Sequence, residues 1–102
     1  MGYEIIAFGV QGEVVATLET TLEEHKAAHA LMGALGVPYD STEDSGLGNT
    51  LEFTLRELGA AQNALIVAIN VDAEFTRSLT FLADAVEYME KHGLEDIEIG
   101  FF

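Results

Sequence analysis

The sequence predicts an α+β fold, a single domain over residues 1–102 with a mixed β-sheet and two or three helices packed on it. Three features carry this expectation. An N-terminal pair of β-rich runs flanks Gln11-Gly12-Glu13, which predicts a hairpin. The C-terminal half reads as an apolar run, an amphipathic helix and a final apolar run, the order of a β-α-β unit. Finally, 49% apolar residues in a chain of 102 suffice for one hydrophobic core.

Each element has a local reason. Tyr3 to Val10 and Val14 to Leu18 are rich in β-formers, and the short punctuation between them makes the turn. Thr20 or Thr21, with Glu23 or Glu24 three residues on, forms a capping box for a helix that runs to about Leu35 and stops at Gly36 and Pro38. NTLEFTLREL, residues 49–58, fits two periods. Leu51, Phe53 and Leu55 alternate with Glu52, Thr54 and Arg56 as in a strand, whereas Leu51, Leu55 and Leu58 share one face of a helix. Asn49 with Glu52 as a second capping box, and the Glu52–Arg56 pair, tip the expectation to helix. Ala64 to Val71, ALIVAINV, is apolar except for Asn70 and predicts a central strand covered on both faces. Asp72 then caps a helix whose Phe75, Leu79, Leu82, Val86 and Met89 form an apolar stripe ended by Gly93. Ile97 to Phe102 is the last strand, expected parallel to 64–71 through a right-handed crossover and, as an edge, in need of cover.

Charge narrows the function. Eighteen Asp and Glu stand against four Lys and Arg, a formal net charge of −14. Such a field repels nucleic acid and anionic membranes and attracts basic surfaces, so direct binding to nucleic-acid phosphate is not expected. Halophilic solvation also produces acidity, but Glu outnumbers Asp 13 to 5 and the apolar content is high. No cysteine is present, which removes disulfides, thiolate metal sites and a cysteine nucleophile together. The opening MGYEIIAFGV lacks the basic start and the length of a signal peptide, and a membrane span is interrupted at Gln11. A soluble, cytoplasmic protein is the expectation.

The motifs with chemical potential fall short of a reaction. Gly46-Leu47-Gly48-Asn49-Thr50 lacks the Lys of a phosphate loop and the third glycine of a dinucleotide fingerprint, and Asp40, Glu43 and Asp44 would repel an anion. Asp40, Thr42 and Asp44 take the first, third and fifth places of an EF-hand loop, but Ser45 stands where glycine is needed and Glu52 arrives one residue late. His25 and His29 have the i, i+4 spacing of zinc ligands without a third ligand at conventional spacing, and His92 beside Gly93 fits a cation at a helix C-terminus. No serine elbow occurs. The expectation is a protein that is not an enzyme and has no metal or cofactor.

What remains is surface. Phe81 and Tyr88 lie outside the main apolar stripe of the last helix, flanked by Glu74 and Asp84, as aromatic anchors rimmed by acids would. The same aromatics also suit a second layer of the core or a dimer contact. The expected function is a small inhibitor or adaptor that mimics nucleic acid and docks on the basic groove of a nuclease, a restriction or CRISPR complex, or a toxin, that is, of the anti-CRISPR or antitoxin type. Its partner-binding residues would be Glu23, Glu24, Asp40, Glu43, Asp44, Glu52, Glu57, Phe81, Asp84, Glu87 and Tyr88. The second reading is an α+β regulatory domain that self-associates as a homodimer and senses a metal ion or small ligand. Over residues 21–102 the order of helix, glycine-bearing loop, Asn-initiated helix, apolar strand, helix and terminal strand resembles that of barstar-type ribonuclease inhibitors. GLGNTLEFTLREL stands in the place of that family's loop and second helix. The N-terminal hairpin is additional and no specific motif is shared, so no residue role is transferred.

Overall fold

The computed structural model describes residues 4–20, 26–37, 49–69 and 75–102. Its elements are β1 (Glu4–Phe8), β2 (Val14–Glu19), α1 (Lys26–Leu35), β3 (Asn49–Thr54), α2 (Leu55–Ile69), α3 (Phe75–His92) and β4 (Asp96–Phe101). The strands form one sheet in the order β2-β1-β4-β3, and every neighbouring pair is antiparallel. The α+β class stands, whereas the mixed sheet does not.

The departure has a local cause. Residues 64–69 are the second half of α2, not a strand, and Asn70 and Val71 lie outside the described residues. Eight apolar residues cannot distinguish a buried strand from a stretch of helix by period alone. Here Leu58, Ala61 and Leu65 fall on one helical face and are buried, while Ile66 and Val67 point outward at 50% and 70% exposure. With residues 64–69 in a helix, there is no parallel crossover among the described residues. β4 instead enters the middle of the sheet between β1 and β3, so it is not an edge. The order of elements shared with barstar-type inhibitors is lost at the same point.

Residues 49–58 satisfy both periods in turn. Leu51 and Phe53 alternate within β3, opposite Ile99 and Ile97, and the helix begins at Leu55. The capping box therefore lies at Thr54 and Glu57 rather than at Asn49 and Glu52. The Thr54 backbone N–H donates to Glu57 Oε1 at 2.8 Å, and the Glu57 N–H donates to Thr54 Oγ1 at 3.1 Å. Glu52 stays in the strand, so the i, i+4 pair with Arg56 has no helix to form on.

The other boundaries follow expectation. The hairpin closes through Gly12, at φ +80°, with the Gly12 N–H donating to the Gly9 carbonyl at 3.0 Å. The ladder slips one residue between Ala7 and Phe8, leaving Val15 as a bulge. α1 ends at Gly36, φ +77°, where the N–H of Val37 reaches the carbonyl of Met32 and that of Gly36 reaches Gly33, a Schellman motif that tucks Val37 into the core. Gly93 and Leu94 end α3 in the same way. Of the caps expected for α1 and α3, Thr20 is described, whereas Thr21, Glu23, Glu24 and Asp72 lie outside the described residues.

One core joins these elements. Ile5, Ala7, Ala16, Leu18, Phe53, Ile97, Ile99 and Phe101 share one face of the sheet and are buried against the three helices. Phe53 and Phe101 meet edge to face at 6.2 Å. Between helices, the buried Ser78 hydroxyl on α3 donates to the Ala27 carbonyl on α1. The residues of opposite parity form the other face of the sheet, and none of the described helices covers it.

Candidate functional site

The uncovered face is fixed by register. Across β2-β1-β4-β3 one row reads Glu19, Glu4 and Phe102, with Glu4 and Phe102 exchanging backbone hydrogen bonds of 2.9 Å. The next row reads Thr17, Ile6, Gly100 and Thr50, and a third reads Val14, Phe8, Glu98 and Glu52. Thr54 and Asp96 complete the far end. Carboxylates thus stand directly opposite one another twice, Glu4 against Glu19 and Glu52 against Glu98.

Like charges in directly opposed positions of an antiparallel pair destabilise a sheet by roughly 0.2 to 1 kcal/mol each. No Lys or Arg within the strands offsets them, because Lys26, Arg56, Arg77 and Lys91, the whole Lys and Arg complement, all lie on helices. By strand and residue spacing, the two acid pairs occupy diagonal corners roughly 16 to 17 Å apart. Between them runs an apolar strip of Ile6, Phe8 and Phe102. Gly100 sits under it, and a Cβ there would run into the rings of Phe102 and Phe8. A cavity of about 140 Å³ opens beside the strip, lined by Phe8, Val10, Glu52, Asp96 and Glu98 among others.

A second polar cluster ties the hairpin turn to α3. The Tyr88 hydroxyl donates to Glu13 Oε2 at 2.9 Å and accepts the Val10 N–H at 3.1 Å, while Glu13 Oε1 accepts the Gln11 N–H at 2.9 Å. Gly9 permits this approach, since any Cβ there would meet the Glu13 carboxylate and the Tyr88 oxygen. The backbone N–H groups of Glu13 and Gln11, then the Tyr88 hydroxyl and the nearby His92, hold the Glu13 carboxyl below its usual range against a smaller opposing effect of desolvation. The Tyr88 and His92 rings pack at 4.2 Å between centroids.

The partner-binding residues expected from sequence are spread over several regions. Glu23, Glu24, Asp40, Glu43 and Asp44 lie outside the described residues, as does His25 of the histidine pair. Glu52 is on the open face. Glu57 is exposed but closes the α2 cap, so its carboxylate has a structural task. Phe81 is 2% exposed and packs in the core, which corrects its assignment as an anchor: the small Ser78 and Ala85 beside it are buried too, and turn that side of α3 inward. Asp84 and Glu87 are exposed on α3, and Tyr88 is half-buried with its hydroxyl engaged as above. Glu4, Glu19, Asp96 and Glu98 were not singled out in the sequence. Their signal was the alternation of acids with apolar residues in EIIAF and DIEIGF.

Among the described residues no three His, Asp or Glu side chains converge as metal ligands, and no helix is long and apolar enough to cross a membrane. Comparisons with protein-family models, with characterised proteins and with solved structures gave no match.

Proposed function

We propose that this chain is a small acidic inhibitor or adaptor that binds a basic protein surface, with its carboxylates standing in for the phosphates of a nucleic acid. The observation that carries the reading is the pair of directly opposed glutamates, Glu4 with Glu19 and Glu52 with Glu98, on strands that hold no Lys or Arg. Like-charge opposition costs stability in the free protein, and a partner that brings cations between the carboxylates relieves it. The net charge of −14 adds a long-range field that speeds encounter with a basic groove and repels nucleic acid itself. The apolar strip of Ile6, Phe8 and Phe102 supplies the dehydrated centre that charge alone lacks. A nuclease, a restriction or CRISPR complex, or a toxin with a nucleic-acid groove is the class of partner with matching chemistry.

The test is capture of a lysate on the immobilised protein, elution along a salt gradient, and a parallel wash with duplex nucleic acid as competitor. A nucleic-acid enzyme released both by moderate salt and by the competitor, and no longer retained by an E52K/E98K variant, supports the proposal. Retention of that enzyme unchanged by salt, by competitor or by the double substitution would overturn it.

A further inference from the structure

Beyond the acidic face, the structure places an edge strand beside a helix with cavities along the seam. Among the described residues β2 is the last strand of the sheet on its side, and its outer hydrogen-bonding edge faces no other strand. Two observations fix which backbone groups point outward. Glu4 exchanges hydrogen bonds with Phe102 of β4, so the next residue, Ile5, turns its polar groups toward β2 and pairs with Leu18. By alternation, Thr17 and Glu19 turn theirs away from the sheet. Independently, the Glu19 carbonyl accepts a hydrogen bond from the Arg77 guanidinium on α3, which places it on the outer side. That leaves the Glu19 N–H and both backbone groups of Thr17 directed outward, short of the bulge at Val15.

α3 runs antiparallel to this edge. Its first turns lie by Glu19, through Arg77, and its last turns lie by the hairpin, through Tyr88. Two cavities occupy the seam. One, about 390 Å³, has Val15 and Tyr88 among its walls together with Lys91; the other, about 260 Å³, has Leu18 and Phe81 with Thr80. Asp84 lines both, so the two cavities adjoin along the β2–α3 groove. Its walls carry a charge order: Arg77 at one end, Asp84 and Glu87 in the middle, and Lys91 with His92 and the Tyr88-bonded Glu13 at the other.

We propose that the β2–α3 groove binds an extended polypeptide segment of a partner by strand addition to the outer edge of β2, with a Lys or Arg of that segment seated against Asp84 and Glu87. Strand addition draws affinity from main-chain hydrogen bonds and specificity from pockets that accept alternate side chains, and this groove offers both. A second copy of this chain is a poor occupant. Its own edge, VVATLE, brings no cation to Asp84, and its charge of −14 opposes approach. The inference shares with the proposed function the basic character of the partner and the border residues Thr17 and Glu19, and it concerns the edge of the sheet rather than its open face.

The test uses the isotopically labelled protein and two blocked peptides, acetyl-TVRVT-amide and acetyl-TVEVT-amide, followed by NMR titration. The expected result is shifts confined to Thr17, Glu19, Thr80 and Asp84 and an affinity about ten-fold higher for the arginine peptide, which reflects one surface charge contact made attractive rather than repulsive. D84K reverses the preference. T17P abolishes binding of both peptides, and proline is tolerated there because the Thr17 N–H faces outward on an edge strand. Should T17P fail to fold, D84K, an exposed substitution, decides alone. Equal affinity for the two peptides, no binding at millimolar peptide, or shifts centred on Ile6, Phe8 and Gly100 overturn the proposal. Groove binding by the arginine peptide with no nucleic-acid enzyme captured from lysate leaves the groove in place and removes the mimic reading.

Discussion

Replacing Glu52 by lysine tests whether the open face carries stored repulsion. Glu52 is exposed on β3 and stands directly opposite Glu98 on β4. The substitution converts an unfavourable cross-strand pair into a favourable one, each worth roughly 0.2 to 1 kcal/mol, so E52K gains about 1 kcal/mol of stability. For a domain of this size about 1 kcal/mol raises Tm by about 4 to 8 °C. The assay is calorimetric unfolding at low ionic strength and again near 1 M salt, where the Debye length falls to about 3 Å and most of the gain disappears. Reduced net charge is a competing explanation, since any acid-to-lysine change eases global self-repulsion. The E52K/E98K double variant separates the two. It lowers the net negative charge further yet restores a like-charge pair, so a local cause returns Tm toward the wild-type value, whereas a global cause raises it again. A Tm for E52K at or below wild type at low salt, or a double variant more stable than the single one, refutes the reasoning.

S78A removes the α3-to-α1 hydrogen bond but leaves the Ala27 carbonyl to its own helix, so chemical denaturation registers a loss of about 1 kcal/mol with an unchanged m-value. T54A breaks the α2 cap and costs about 1 kcal/mol by the same assay, and E57A acts in the same direction because its carboxylate serves the cap. Glu13 has a folded pKa below its ordinary value of 4.5, so the stabilisation it contributes is complete above that value and is lost as pH falls through the depressed folded one. In Y88F, Glu13 titrates closer to 4.5 by NMR, and the stability lost on acidification is smaller and is complete at higher pH. G100A pushes the Phe102 and Phe8 rings from their positions over residue 100, seen by NMR as loss of ring-current shifts at Ile6 and Thr50, its neighbours across the ladder.

Much of the fold was legible because its signals are local. The hairpin follows from two β-rich runs around Gly12, the end of α1 from Gly36, and α3 and β4 from their own periods. Residues 64–71 misled because Ile66 and Val67 have strand-like chemistry, yet they continue a helix already nucleated by the Thr54–Glu57 cap and held by Leu58, Ala61 and Leu65. Phe81 misled because a wheel drawn on large apolar residues misses the inward turn allowed by Ser78 and Ala85. The candidate face was legible only in part. Alternation in DIEIGF and NTLEFT puts Glu98 and Glu52 on one side of their strands, but their direct opposition depends on β4 entering beside β3 with a particular register. Register is set by turn geometry and by which face is buried, and the wrong strand at 64–71 concealed it.

The distribution of charge joins the two surfaces. All four Lys and Arg lie on helices, so the open sheet face is left acidic while α3 carries both signs along its groove wall. A strand added to β2 would extend this same sheet. Its residues on the open side would then lie next to Thr17 and Glu19, and those on the other side would face Asp84. A partner segment with lysines or arginines in alternate positions would therefore meet carboxylates on both sides of the enlarged sheet, Glu19 and Glu4 on one and Asp84 and Glu87 on the other. The two sites are thus additive in charge and meet at Thr17 and Glu19. Raising salt weakens both, whereas T17P removes only the ladder and E52K/E98K only the far corner of the face, so a partner that uses both loses affinity in two independent steps.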